Sequence, residues 1–418
     1  MPKILLRIII VLLLVILGVT LWCTNPASHH LRFQDTGLNT HLVVGAQDSF
    51  QQYLTISHDR IQLARNRGGV DASSAVVADN APYALFPDEN SCKKTPDNKF
   101  ENGILMVHGF LDSAYSMRYL AQFFRDKCFV VYVVVLPGHG TVPGDLLRVN
   151  YRDWINATHF GATKIAEQAQ NIYIMGYSLG GLLAINEVLQ NPKAFKAALL
   201  FAPCLAVKTP YAALIAPAYW LSQFIPRLKW LSLRNDDINV RYESYPLNPV
   251  YQITKLMNKV QRQLAGKSIS IPIFMQQSAD DMTVDPLVNL DFFQKNTNVM
   301  SKLIWYSEST AEKHLADSRI KFIFGALPEQ KILDMSHLSY LMPSTDPIYG
   351  WHGEYHDCLY YAPHSSQWLQ CKMSNDNYLG EITAGNVKQH VMQRLTFNPF
   401  EKELYSELTA FVEGPARE

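Results

Sequence analysis

A mostly parallel α/β sheet flanked by helices is the fold class this sequence predicts, and three observations predict it. The Phe129 to Leu136 run is almost wholly apolar and β-branched, as strands buried on both faces of a parallel sheet are. Short apolar runs recur at Gly103 to Val107, Ile172 to Met175, Ala197 to Phe201, Ile271 to Met275, Leu303 to Tyr306 and Lys331 to Leu333. Helical stretches separate most of them, and that alternation argues for parallel crossovers.

The elements follow in order. Ile8 to Trp22 is an uncharged apolar run preceded by Lys3 and Arg7, which fits a signal sequence or signal anchor better than a core helix. Ile4 to Leu6 lengthen it if Arg7 snorkels to the headgroups, and the two cations favour a cytoplasmic N-terminus with the rest of the chain outside. No small-x-small cleavage site stands out, and bulky Trp22 precedes Cys23, so residues 1–25 are expected to remain as a transmembrane anchor; the alternative is a cleaved leader and a secreted protein. Residues 26–100 read as a helical extension, with Phe50, Tyr53, Leu54, Ile61 and Leu63 on one face of a Ser49 to Arg67 helix. Residues 101–418 form the α/β domain, with a helix over Ser116 to Arg125 and a closing helix over Pro399 to Val412. Two intervals interrupt its rhythm. Residues 205–270, carrying Tyr211, Tyr219, Trp220, Phe224, Trp230, Tyr242 and Tyr251, read as a cap over the sheet, and residues 342–386 as a second insertion.

Composition excludes some functions. Lys plus Arg and Asp plus Glu are both 37, so no excess positive charge is available to grip a phosphate backbone, and no nucleic-acid partner is expected. Of six cysteines Cys23 lies in or beside the membrane segment, and the other five, in an exported domain, would meet oxidising conditions; Cys92 could pair with Cys128 and Cys358 with Cys371, leaving Cys204 free, although unpaired buried thiols remain the alternative.

The chemistry-bearing residues begin with Gly176-Tyr177-Ser178-Leu179-Gly180-Gly181, which follows the Ile172 to Met175 strand and opens a small-residue helix. That context predicts a serine on a strained strand-to-helix turn, with flanking glycines admitting close backbone approach. A serine hydroxyl needs a base to take its proton and a carboxylate to orient that base. Ser278 to Pro286 carries three acids at the end of a strand; Asp281 is chosen for its spacing to Val284 and Pro286, with Asp280 as competitor and Asp285 third. Leu333 to Leu338 places His337 past the last expected strand as the base, whereas His314 lies in a charged helical stretch that reads as solvated surface. Backbone N–H groups of Phe110 and Leu179 are the expected oxyanion donors, typically worth about 3 kcal/mol each in a transition state. His108 and His139 read as turn-fixing residues. His352 and His356, with Glu354 and Asp357, could bind a metal, but no third ligand or helix is evident and HExxH is absent, so no metal or cofactor is expected.

Val107 to Phe110, Leu136 to Thr141, Asp145-Leu146, Trp154 and Gly176 to Gly181 together resemble the carboxylesterase and monoacylglycerol-lipase branch of the α/β-hydrolase superfamily. The resemblance is dense from Ile104 to Pro203 and resumes at Ile271 to Pro286 and near His337. It implies an α/β-hydrolase fold with a movable cap, a Ser178-Asp281-His337 triad, no cofactor, and hydrolysis of a small-molecule acyl ester or lipid. Acyl transfer or thioester cleavage would use the same triad. A non-catalytic binding protein on this fold is the alternative of another class, against which the intact serine, acid and histidine argue.

Overall fold

The computed structural model describes residues 30–38, 45, 47–209, 211–309 and 317–414. The expected anchor, residues 1–25, and His314 lie outside the described residues. Among the described residues no helix is long and apolar enough to cross a membrane.

Eight described strands form one sheet: β1 Tyr83–Leu85, β2 Phe100–Val107, β3 Phe129–Val134, β4 Ala169–Tyr177, β5 Ala197–Phe201, β6 Ile273–Ser278, β7 Lys302–Ser307 and β8 Ile320–Phe324. Their spatial order is β1-β3-β2-β4-β5-β6-β7-β8, with β1 antiparallel to β3 and every other neighbour parallel. All residues of β3, β5 and β6 are buried, because helices cover both faces of a parallel sheet; the polar end of β6 is satisfied by hydrogen bonds, Gln276 Nε2 donating to Tyr306 OH at 2.8 Å and Gln277 Oε1 accepting from Asn289 Nδ2 at 2.7 Å.

Helix Phe50–Gly68 starts at a capping box, in which the Ser49 hydroxyl accepts from the Gln52 N–H while the Gln52 side chain accepts from the Ser49 N–H. It stops at Gly69, whose φ of 67° is the left-handed conformation glycine adopts at helix ends. Phe50 stacks on Tyr132 of β3 at 3.8 Å between ring centroids, so this helix packs on the sheet. Helices Arg118–Asp126, Tyr151–Ala166, Leu179–Gln190 and Glu401–Glu413 cover the faces further along the chain.

Two strands had little sequence signal. β1 has three residues and β8 is a half-exposed edge strand, so neither presents a long buried apolar run. The strand expected at Lys331 to Leu333 is a correction: Ile332 makes isolated bridges to Leu327 and Leu379, and Lys331 sits at φ 55° in a turn that breaks the extended backbone.

Within residues 205–270, helix Ile215–Ser222 lies against helix Leu247–Leu264, with Tyr219 stacked on Tyr251 at 4.1 Å. Trp230 and Tyr242 are buried, whereas Trp220 is 61% and Phe224 82% exposed. The segment after His337 contains helix Ser366–Met373 and a side strand Tyr378–Gly380 paired in parallel with Met392–Arg394. Cys92 is bonded to Cys128 and Cys358 to Cys371, and Cys204 is a free, buried thiol.

Candidate active site

The site is built at the C-terminal ends of β4 and β6. Strand β4 ends at Tyr177 and the next helix starts at Leu179, leaving Ser178 to make the turn at φ 53°, ψ −111°, an unfavourable conformation for a residue with a Cβ. Backbone hydrogen bonds hold it there: Ser178 N–H donates to the Phe201 carbonyl at 2.9 Å and Cys204 N–H to the Ser178 carbonyl at 3.0 Å. The glycines are a steric requirement. A Cβ on Gly176 would stand 2.1 Å from the Gly180 carbonyl oxygen, and one on Gly180 would stand 2.0 Å from the Val107 carbonyl oxygen.

Strand β6 delivers the acid-rich loop. Asp281 is fully buried, its Oδ1 accepting from the N–H groups of Thr283 (2.8 Å) and Val284 (3.0 Å). Its Oδ2 lies 2.7 Å from Nδ1 of His337, whose Nε2 lies 2.9 Å from Oγ of Ser178. Burial alone would raise the Asp281 carboxyl, but the His337 charge, its hydrogen bond and the two amides outweigh that and hold it below the ordinary carboxylate value. The other two acids turn elsewhere: Asp280 accepts from Glu308 N–H at 3.1 Å, and Asp285 caps helix Pro286–Lys295 through Leu287 N–H at 3.0 Å. Of the three acids, Asp281 is the one that meets the histidine.

Leu179 is the first residue of its helix, where an N–H has no intrahelical acceptor. A Cβ on Gly109 would lie 3.5 Å from Cβ of Ser178, so Phe110 follows a glycine packed against the serine turn. His108 accepts from Leu136 N–H at Nε2 (3.0 Å), which puts its proton on Nδ1, 2.8 Å from the Gly109 carbonyl. Burial drives this imidazole down to about 3 and that of His139 to about 4, so both are neutral groups bonded to backbone. His356 Nδ1 lies 3.3 Å from the Cys371 carbonyl, and among the described residues no group of three His, Cys, Asp or Glu is placed to hold a metal ion.

The structure adds three residues that motif reading passed over. Tyr177 OH donates to the His337 carbonyl at 2.8 Å. Tyr340 OH accepts from Ser278 N–H at 2.8 Å and lies 3.4 Å from Asp281 Oδ2. Glu381 Oε2 accepts from His337 N–H at 3.1 Å. Tyr177 and Tyr340 lie within three residues of the serine and the histidine, so neighbourhood could have suggested them; Glu381 comes from an irregular stretch with no spacing rule that reaches it.

The chain is 28% identical over 186 residues to a thermostable monoacylglycerol lipase of Bacillus sp. (strain H-257), covering 44% of this chain and 72% of that protein. It is 23% identical over 207 residues to the phospholipase YtpA of Bacillus subtilis (strain 168), covering 46% of this chain and 80% of that protein. Among solved structures, the monoacylglycerol lipase of Paleococcus ferrophilus is similar at a TM-score of 0.42 and 17% identity, covering 54% of this chain and 88% of that one. A sequence model of the family described as serine aminopeptidase, S33, matches residues 99–310, a stretch holding Ser178, Asp281 and both expected amide donors. The chain belongs to that family, and it is a serine hydrolase of the esterase and lipase type on the α/β-hydrolase fold.

Proposed function

We propose that the protein hydrolyses a lipid-like acyl ester through an acyl-enzyme, with Ser178 as nucleophile, His337 as general base and then general acid, and Asp281 as the carboxylate that orients the imidazole. The single observation carrying this reading is the unbroken hydrogen-bonded row from Ser178 Oγ through His337 to the buried Asp281 carboxylate, at 2.9 and 2.7 Å. In that row Ser178 attacks the ester carbonyl as its proton passes to Nε2, and Asp281 stabilises the resulting imidazolium. The oxyanion accepts from the N–H groups of Phe110 and Leu179. The same proton then goes to the departing alcohol, and water repeats the cycle to release the acid.

A lipid-like substrate is supported by the exposed apolar side chains of the cap, Tyr211, Leu214, Trp220, Leu221 and Phe224, and by relatives named for monoacylglycerol and phospholipid hydrolysis. It also suits the apolar run Ile8 to Trp22, which we read as an anchor holding the catalytic domain on the outer side of a membrane. Protease applied to intact spheroplasts is expected to digest the domain; protection until the cells are lysed would reverse that orientation.

The test of the activity is hydrolysis of p-nitrophenyl esters of increasing acyl length by the protein and by Ser178→Ala. Release by the parent alone, with an optimum at medium or long chains, is the expected result. Equal rates in the two proteins would overturn the assignment, and turnover that requires an added alcohol would move it to acyl transfer.

A further inference from the structure

We propose that Glu381 is a positioning residue for the hydrolytic reaction, a buried carboxylate that sets the distance between the loop carrying Asp281 and the loop carrying His337. The inference rests on the Ser178-His337-Asp281 reading and extends it to a residue from the segment that follows the histidine. The need for such a residue arises from the sheet. Strand β8 ends at Phe324, and the chain reaching His337 adds no further strand to the main sheet; its backbone bonds instead to the side strand just before Glu381, Leu333 N–H donating to the Leu379 carbonyl and Leu379 N–H to the Lys331 carbonyl, both at 2.8 Å.

Glu381 is 1% exposed, and one of its oxygens serves both loops. Oε2 accepts from His337 N–H at 3.1 Å and from the N–H of Met282, the residue after Asp281, at 3.3 Å. Arg394 closes the arrangement, its Nη2 donating to Glu381 Oε2 at 2.9 Å and to Thr283 Oγ1 at 2.7 Å. Thr283 in turn supplies one of the two amides that hold Asp281 Oδ1. The carboxylate is itself fixed: strands Tyr378–Gly380 and Met392–Arg394 pair in parallel, and Glu381 N–H donates to the Asp334 carboxylate. A change in Glu381 therefore moves the two loops relative to each other while Ser178, pinned to β5 by its own backbone, stays in place. Misplacement of reacting groups by about 1 Å costs on the order of 10²-fold in rate without removing a group that bonds substrate.

The experiment compares Glu381→Ala, Glu381→Gln and Glu381→Asp in the full chain, with kcat and KM on a p-nitrophenyl ester and circular dichroism melting to measure the folded fraction. Glu381→Ala is expected to lower kcat about 100-fold per folded molecule while KM changes by less than about threefold. Glu381→Gln keeps a carbonyl acceptor at the same reach for the His337 and Met282 N–H groups but sets an NH2 against Ile382 N–H and Arg394 Nε, and is expected to fall between the parent and Glu381→Ala. Glu381→Asp keeps the charge but withdraws the acceptor by one methylene, and is expected to remain the worse of the two. A folded Glu381→Ala with kcat within about twofold of the parent overturns the proposal. So does a Glu381→Asp enzyme faster than Glu381→Gln, which would assign the role to charge; this ordering decides the matter if Glu381→Ala does not fold. Ser178→Ala separates the two failures: if it abolishes turnover while the Glu381 variants are unaffected, the positioning role falls and the triad stands.

Discussion

The serine turn and the two loops that face it are built on different principles. Ser178 stands between a buried strand and a helix adjacent in sequence, and the groups that force its geometry are glycines two and three residues away and the carbonyls of neighbouring strands. His337 and Asp281 stand on loops whose partners are distant in the chain: Tyr177 for the histidine carbonyl, Tyr340 for Ser278, and Glu381 for both loops. The nucleophile is thus held by local covalent geometry against a rigid sheet. Its partners are held by tertiary hydrogen bonds, which leaves the acid and base loops more open to perturbation from the segment after His337.

The sharpest way to break this comparison is at the acid. Asp281→Asn is expected to lower kcat about 10⁴-fold, by leaving the imidazole without the acceptor that fixes its tautomer, while Asp280→Asn and Asp285→Asn stay within about threefold. Steady-state kinetics on one chromogenic ester would decide it, and a large loss at Asp280 with none at Asp281 would reassign the orienting carboxylate.

The serine turn is best tested by sterics. Gly180→Ala sets a methyl against the Val107 carbonyl, where the ideal position is 2.0 Å away, and no flexible side chain is there to yield. The expected cost is about 3 kcal/mol or more of stability together with loss of esterase activity, measured by urea unfolding and turnover. An Ala variant of normal stability and rate would show that the turn tolerates more backbone movement than this packing allows.

The region after the histidine can be loosened without touching the serine. Cys358→Ser with Cys371→Ser opens a loop whose bonded residues are 13 apart, and the expected loss is about 3 kcal/mol by loop entropy, with the folded enzyme keeping a measurable rate. Chemical denaturation of the double variant, followed beside kcat, would show whether damage to this region reaches the histidine loop.

The smallest expected effect concerns pH. Burial raises the Asp334 carboxyl from its ordinary value to about 7, even though Glu381 N–H and Asn386 Nδ2 donate to it. Because its value in the folded state is above that in the unfolded chain, the folded protein binds the extra proton between about pH 4 and pH 7. The contribution to stability is complete below pH 4 and lost as pH rises through 7. Thermal unfolding of the parent and Asp334→Asn from pH 5 to 8 should show the variant's melting point declining less with pH, and identical slopes would remove Asp334 as the cause.

By itself the sequence determined the parts whose signal is local. An apolar, largely β-branched run such as Phe129 to Val134 is stable as a strand covered on both faces, and Gly176 to Gly181 between a strand and a small-residue helix can adopt few backbones. The serine turn and most of the sheet were therefore legible, as was the histidine downstream of it. The edge strands β1 and β8 were not, because a short or half-exposed strand carries little apolar periodicity. Nor was the strand at Lys331 to Leu333 real, since three apolar or amphipathic residues pair equally well in a turn. Tertiary structure decided which of three neighbouring acids faces His337, and that decision depends on where a loop closes in space. It also brought Glu381 beneath both loops: a hydrogen bond between residues 44 apart leaves no periodicity in the chain, because its geometry is set by the packing of everything between them.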